Sequence, residues 1–273
     1  MVSLGHQFIE KFTMDKIRTI LVPFDFSEAS RAALDYAVNY VGTSNNMHIK
    51  LLYADKEAVE SALEKDFQNV RKGYGKNLRS PMSWAVSKES LTTAILKARE
   101  SFKADLIIMG TSGTTGEEGT VTHTAELVLE AHCPVLVIPQ TTSEFQVKNM
   151  ALVLGREEIE DTAVLGTLLD VARRFNARVH VLTIKNEPGE YGYSPADEKN
   201  EKLLEYYLES FYAHHMYIEN PDIVKGISEY AAEKEIDMIV ILPRKHARKS
   251  TPSEGRLTQI LTLQSQTPIL AIE

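Results

Sequence analysis

The sequence predicts an α/β protein made of two tandem units, each with a five-stranded parallel sheet, related by pseudo-two-fold symmetry. Strand-like and helix-like segments alternate along the whole chain of 273 residues. The strand-like segments are unalternating runs of Val, Ile and Leu, which are typical of parallel strands covered by helices on both faces. Their order occurs twice, which predicts an N-terminal extension at 1–15, a first unit at 16–143 and a second at 144–273.

The first unit opens with a short apolar strand at 17–25 and an amphipathic helix at 27–41, for which Ser27 is the expected N-cap. The elements that follow are a strand at 48–54, a polar helix that ends near 76, a strand at 82–86, a helix at 90–102, the strand "DLIIMG", a helix at 122–132 and a strand at 134–139. Right-handed crossovers between these strands give a parallel sheet.

The second unit repeats this order. Its strands are predicted at 150–155, 178–184, 214–219, 237–243 and 268–272, and its helices at 160–175, 199–213, 221–235 and 254–265. The match is closest at the ends, where "CPVLVIP" corresponds to "TPILAIE" and "KADLIIMG" to "EIDMIVIL". Because an uncovered apolar edge is an aggregation hazard, we expect the two final strands to lie at the boundary between the units.

Composition excludes several classes of protein. Apolar residues make up 43% and charged residues 25% of the chain, which is typical of a globular fold, and the apolar runs are too short to span a bilayer. The net charge is −8, so the chain lacks the bulk positive charge of a nucleic-acid binder. A single cysteine, Cys133, excludes an intramolecular disulfide and is most simply structural.

The start of the chain predicts its location. The N-terminus has no cationic start followed by an apolar core, so it does not look like a signal peptide, and we expect a cytoplasmic protein with no membrane partner. The residues before the second methionine, Met14, form either a short extra helix or an extension from an upstream start site.

Three segments of the first unit resemble the universal stress protein family in its tandem form. They are "ILVPFDFSEASRAALDYA", "LIIMGTSGTTG" and "TAELVLEAHCPVLVIP". The resemblance implies a Rossmann-type fold of the adenine nucleotide alpha hydrolase-like kind. It also implies that the two units pair through their last strands as an intramolecular pseudo-dimer. The same resemblance is compatible with a homodimer of the whole chain. The family role is a response to stress without a well-defined catalytic reaction, so we do not expect an enzyme.

The phosphate side of the family's nucleotide site is only partly retained. Gly110 and Gly113 match the first two glycines of the family pattern, whose N–H groups approach the phosphates. Val121 stands at the last glycine, after a loop two residues shorter than the pattern, and Thr122 stands at the hydroxyl position. Within this loop, Glu117 and Glu118 would repel phosphate. The alternative is a surface turn whose glycines serve backbone geometry alone.

The base side of the site is better retained. The family's Pro-x-Asp at the end of the first strand is matched by Pro23, Phe24 and Asp25, and Tyr53 and Ala54 would form the apolar wall. The alternative role for Asp25 is to cap the helix that begins near Ser27. We therefore expect ATP or AMP as the ligand, with adenosine or AMP bound comparably to ATP, or no tight ligand. The candidate residues are Pro23, Phe24, Asp25, Tyr53, Ala54, Met109, Gly110, Gly113, Thr122 and Thr124.

The second unit is predicted to have lost the site. Arg156 falls where the first unit has its base-side carboxylate, and the glycines are replaced by a basic patch. The patch consists of Arg244, Lys245, Arg248 and Lys249 and is either a solvated face or a surface for an anion or an acidic partner. His214 and His215 are adjacent on a strand, so they face opposite ways and cannot chelate a metal together. The competing function is a scaffold module that acts through partner surfaces.

Overall fold

The computed structural model describes residues 17–75, 78–113, 123–155, 158–186, 194–243, 258, 261 and 265–272. The predicted extension at 1–15, the basic patch and most of the helix predicted at 254–265 lie outside these residues. Within them, strands and helices alternate as the sequence predicts, which confirms the α/β class.

The first half of the chain contains five strands and four helices among the described residues. In chain order they are β1 (Thr19–Pro23), α1 (Glu28–Val41), β2 (His48–Ala54), α2 (Glu60–Tyr74), β3 (Met82–Ser87), α3 (Leu91–Phe102), β4 (Leu106–Thr111), α4 (His123–Glu130) and β5 (Val135–Pro139). The N-cap of α1 is Ser27, as predicted, and its hydroxyl oxygen accepts a hydrogen bond from the backbone N–H of Ser30.

The second half repeats the plan. Its elements are β6 (Asn149–Leu154), α5 (Ala163–Phe175), β7 (Arg178–Lys185), α6 (Pro195–Leu208), β8 (Tyr212–Glu219), α7 (Ile223–Glu233), β9 (Met238–Ile241) and β10 (Ile269–Ala271), with Thr258 and Leu261 helical between the last two strands. The prediction of a helix over 199–213 was wrong at both ends. A capping box between Ser194 and Asp197 starts α6 earlier, and the chain joins β8 by Tyr212.

The ten strands of the described residues form one sheet in the order β3-β2-β1-β4-β5-β10-β9-β6-β7-β8. Within each half the strands are parallel, and the halves meet where β5 and β10 pair antiparallel, with Leu270 opposite Leu136. This pairing confirms that the two final strands lie at the shared boundary. It also leaves β3 and β8 as the outer strands of the sheet.

A pair of aspartates shows how closely the halves repeat. The Asp105 carboxylate accepts the backbone N–H groups of residues 18–19, each at 2.8 Å, and so holds the start of β1 against β4. The Asp237 carboxylate accepts the N–H groups of residues 148–149 at 2.7 and 2.9 Å and does the same for β6 and β9. Two equivalent residues therefore make the same long-range connection, which supports the internal duplication.

Helices cover both faces of the sheet. One core cluster includes side chains of α1, α2, α5 and α6, and the other includes those of α3, α4 and α7. Both clusters contain residues from each half, so the apolar core continues across the β5–β10 boundary.

The halves are also joined through α1 and α5. Arg174 of α5 donates three hydrogen bonds, of 2.7 to 2.9 Å, to the carbonyl oxygens of Tyr40 and Val41 at the C-terminal end of α1. Its guanidinium also lies over the rings of Tyr40 and Phe175, at 5.3 and 5.6 Å from their centroids. A cation at this helix end donates to terminal carbonyls and complements the helix dipole.

Candidate functional site

The topology opens a crevice at the carboxyl ends of β1 and β4. The chain leaves β1 through α1 towards β2, and it returns from β3 through α3 to the other side of β1. Because α1 and α3 lie on opposite faces of the sheet, the strand order reverses between β1 and β4. Parallel α/β sheets bind ligands at such a reversal. The candidate residues on β1, β2 and β4 accordingly share one edge.

Asp25 lies at this edge, directly after β1, and it is exposed. Its Oδ1 atom accepts the backbone N–H of Ser27 at 3.0 Å and the Ser27 hydroxyl at 2.5 Å. Partial burial by itself would raise the pKa of Asp25, but these bonds and a contact with Ser30 together lower it. Both hydrogen bonds from Ser27 go to Oδ1, so the carboxylate supports the start of α1 through this one oxygen.

Aromatic side chains occupy the space beside Asp25. The Phe26 ring lies 5.0 Å from Phe24, 5.1 Å from Phe67 and 6.0 Å from Tyr53, measured between ring centroids. Trp84 of β3 stacks on Phe67 at 5.4 Å with nearly parallel planes. Phe67 is buried, whereas Phe26, Tyr53 and Trp84 are half-buried. The base side thus has a wall of aromatic rings, and the half-buried rings in it keep part of their surface exposed to solvent.

Three members of this wall, Phe26, Phe67 and Trp84, are absent from the residues predicted from sequence. Phe26 has a φ of 67°, which is unusual for a bulky residue and turns its ring back over the end of β2. Phe67 and Trp84 come from α2 and β3, far along the chain. Only the position of Phe26, next to Asp25, could have suggested a role.

Gly110 has a packing role that does not depend on phosphate. A Cβ atom at this position would lie 1.9 Å from the carbonyl oxygen of Ala29, so only glycine lets the first turn of α1 rest on β4. Gly113 has a φ of 65°, and its N–H group donates a 3.3 Å hydrogen bond to the Thr111 hydroxyl. One donor expected to face phosphate is thus engaged within the loop.

The other candidate residues differ in how far they are exposed to solvent. Pro23, Met109 and Thr124 are buried, so they can shape the edge but present little surface to a ligand. Ala54 is half-buried at the end of β2. Thr122 lies outside the described residues, as do Val121 and the two glutamates of the loop.

Two grooves among the described residues lie near the edges of the first half of the sheet. The larger, of about 780 Å³, lies at the opposite, amino-terminal edge, where Arg18 and His48 of the first half meet Arg174 of the second. The smaller, of about 680 Å³, lies between α1 and α2 and is lined by Phe26, Arg31 and Tyr74. We assign the candidate site to the carboxyl edge because parallel strands place their ligand-binding loops there, and the groove beside Phe26 opens onto it.

The corresponding edge of the second half carries polar contacts among its described residues. The Oδ1 atom of Asn200 in α6 accepts the backbone N–H of Ile159 at 2.8 Å and ties the loop after β6 to the helix. On the same face, Thr183 hydrogen-bonds to Nε2 of His215 at 2.9 Å, and Tyr217 to its Nδ1 atom at 3.1 Å. Arg156, expected at the position of Asp25, lies outside the described residues.

The fold and edge geometry define a tandem α/β protein with a Rossmann-like arrangement in each half. The family model described as "Universal stress protein family" matches residues 85–139 and 148–272. The chain therefore belongs to the universal stress protein family, in its tandem form, which confirms the resemblance drawn from the sequence.

Individual proteins agree with this assignment. A universal stress protein of Methanocaldococcus jannaschii is 29% identical over 149 residues, which cover 46% of this chain and 85% of that protein. A solved universal stress protein from Archaeoglobus fulgidus superposes with a TM-score of 0.69 at 14% identity, covering 94% of this chain and 99% of that one. A solved universal stress protein from Pseudomonas aeruginosa superposes with a TM-score of 0.60 at 17% identity, covering 95% of this chain and 94% of that one. At these identities the two solved structures show a shared fold.

Proposed function

We propose that this protein is a cytoplasmic stress-response protein whose N-terminal half binds an adenine nucleotide mainly through the base and ribose. The C-terminal half binds none, and the protein carries out no catalytic turnover. The proposal keeps the predicted units, 16–143 and 144–273, as the functional division of the chain. No described helix is long and apolar enough to cross a membrane.

The observation that carries the proposal is the state of Asp25. Its carboxylate is ionised at neutral pH, since the lowered pKa favours the charged form, and a carboxylate can accept more hydrogen bonds than the two from Ser27. An adenine amino group is a donor of the right kind, and the half-buried rings of Phe26 and Tyr53 offer apolar surface to a planar base. A charge-assisted hydrogen bond contributes roughly 1.5 to 3 kcal/mol.

The residues on the phosphate side of the site support a weaker contribution to nucleotide affinity. The N–H group of Gly113 is bonded to Thr111, and the sequence places two glutamates in the loop that follows. AMP and adenosine should therefore bind comparably to ATP.

Calorimetry with adenosine, AMP and ATP tests this, and the single tryptophan provides a second signal. Trp84 stacks on Phe67 in the aromatic wall, so a bound base should change its fluorescence. Asp25→Asn should weaken binding by about tenfold or more.

Asp161→Asn is the matched control in the second half. Its Oδ1 atom accepts the N–H of Ala163 at 2.8 Å, two residues on, as Asp25 does with Ser27. This variant removes the carboxylate charge from the same type of local turn and should bind like the wild type. Absence of binding by all three ligands at millimolar concentration would reject the proposal.

A scaffold role is the second candidate, and the packing of Phe26 favours it. The ring fills part of the base side by contact with Phe24 and Phe67, so side chains of the protein already occupy space that a base would need. If no adenine ligand binds, this role becomes the better description.

A further inference from the structure

Two histidines and a tyrosine converge in the second half, far from the candidate nucleotide site. His180 of β7 lies directly opposite His214 of β8 in the register of the sheet. Both side chains are on the face covered by α7, where the Tyr230 hydroxyl lies 3.0 Å from Nδ1 of His180 and 3.2 Å from Nε2 of His214. One nitrogen from each imidazole is thus aimed at the same oxygen atom.

The spacing of the two rings suits a shared metal ion. Their centroids are 4.7 Å apart, with planes at 67°. A metal bound at about 2.0 to 2.1 Å from each nitrogen would lie about 3.2 Å from each centroid, and the rings would then subtend about 95° at the metal, which is between a right angle and the tetrahedral angle. Only small side-chain movements are needed for both nitrogens to reach one ion. The phenol oxygen already lies between them and supplies a third ligand.

The hydrogen bonds at this cluster fix where its protons lie. The Tyr230 hydroxyl has one proton, so it can donate to only one of the two nitrogens, and the other imidazole must donate its own N–H. A metal ion would displace these protons, because imidazole binds metals through a nitrogen lone pair and phenol through its deprotonated oxygen.

The surrounding charges set a limit on affinity. The positive charges of Arg178 and Lys234 act on His180 and oppose a metal cation. Lys234 is partly neutralised by its ion pair with Glu233 at 2.7 Å, but burial and Glu233 both raise the pKa of Tyr230 and so disfavour its deprotonated form as a ligand. The described residues contain no group of three or more His, Cys, Asp or Glu side chains placed to hold a metal. Two imidazoles and a phenol should thus give micromolar rather than tighter binding.

We propose that His180, His214 and Tyr230 form a binding site for a divalent transition-metal ion of the kind that prefers imidazole, Cu²⁺ or Zn²⁺. Imidazole suits both ions, and the affinity order of divalent metals places Cu²⁺ first. Because β8 is an outer strand and His214 is half-buried, an ion can approach from the edge of the sheet. The site is independent of nucleotide binding in the first half.

Titration of the full chain, without an affinity tag, with Cu²⁺ tests the proposal by calorimetry and electron paramagnetic resonance. We expect one ion per chain with two nitrogen ligands, and a visible charge-transfer band from the Tyr230 oxygen. His180→Ala and His214→Ala should each weaken binding more than about 100-fold, because loss of an outer-shell partner alone typically costs about 10- to 100-fold. Tyr230→Phe should remove the charge-transfer band and keep the nitrogen signature.

His215→Ala is the matched control. His215 is the next residue on β8 but faces α6, where it hydrogen-bonds to Thr183 and Tyr217. Its loss should leave Cu²⁺ binding unchanged, and circular dichroism checks that each variant is folded.

A location test does not depend on any variant. Paramagnetic Cu²⁺ should broaden the nuclear magnetic resonance signals of His180, His214 and Tyr230 in the wild-type protein before all others. Broadening confined to other histidines, wild-type affinity in His180→Ala or His214→Ala, or no binding at 100-fold the expected micromolar range would each overturn the proposal.

Discussion

The two halves share one scaffold but differ at their carboxyl edges. In the first half this edge holds an exposed carboxylate, Asp25, beside the half-buried rings of Phe26 and Tyr53. In the second half Asn200 ties down the loop after β6, and His215 is bonded on both sides by neighbouring hydroxyl groups. Duplication preserved the contacts that hold strands together, such as those of Asp105 and Asp237, and changed the side chains at the loops. The scaffold and the site are therefore under separate physical constraints.

The largest expected difference between the halves concerns Gly110. It lies five residues after Asp105, and the residue five after Asp237 is Leu242, so the second half accepts a large side chain at the equivalent position. Gly110→Ala forces a Cβ atom onto the Ala29 carbonyl and should cost about 3 kcal/mol or more in the free energy of unfolding. Urea denaturation measures it. Leu242→Ala is the comparison and should be milder, and equal losses would mean that the halves pack α1 and α5 alike.

The connection between the halves should give the next largest effect. Arg174→Ala removes three hydrogen bonds to the C-terminal end of α1 together with the contacts to two rings, and it should destabilise the protein by roughly 2 kcal/mol. Arg174→Lys should restore little, because an ammonium group cannot reproduce the planar contacts. Thermal unfolding of both variants checks this. A lysine variant as stable as the wild type would show that charge alone stabilises this helix end.

Acid should destabilise the second half of the protein more than the first. Burial, together with His214, Arg178 and Lys234, lowers the pKa of His180 in the folded protein, so the unfolded chain takes up a proton more readily. The stability that neutral His180 provides is fully present above the unfolded pKa of about 6.5, and it is lost as pH falls from there towards the folded value. Hydrogen exchange at pH 7.5 and 5 should show β8 and α7 opening first.

The first half provides the internal reference for this experiment. Trp84 fluorescence reports on the first half, and it should stay unchanged over the same range of pH. His180→Gln should reduce the difference between the halves. Simultaneous opening of both halves, or an unchanged response in this variant, would contradict a role for His180.

The smallest expected effect is on phosphate recognition in the first half. The double variant Glu117→Gly, Glu118→Gly removes two negative charges from the loop, and two unit charges about 8 Å apart in water repel each other by roughly 0.5 kcal/mol. ATP affinity should rise by up to about tenfold, whereas adenosine affinity should not change. Calorimetry decides it. Wild-type ATP binding that is already far tighter than adenosine binding, and is not improved by the variant, would identify this loop as a working phosphate site.

Sequence patterns were sufficient to predict the helices and strands of the described residues and their order along the chain. The apolar runs of β5 and β10 predicted the boundary strands, and Ser27 predicted the start of α1, because burial periodicity and N-capping depend on residues close together in the chain. The adjacent pair His214 and His215 was also predicted to face opposite ways, which the separate partners of the two side chains confirm. The start of α6 was predicted incorrectly, although its signal, Ser194 followed by Pro195 and Asp197, was local.

Only the tertiary structure decided which distant residues meet. It brought Phe67 and Trp84 to the base side, placed Gly110 against Ala29, and set Arg174 at the end of α1. It also paired His214 with His180 and Tyr230 rather than with its neighbour in sequence. These contacts depend on strand register and on which face each helix covers. Both are determined by the packing of the whole core rather than by any short stretch of the chain.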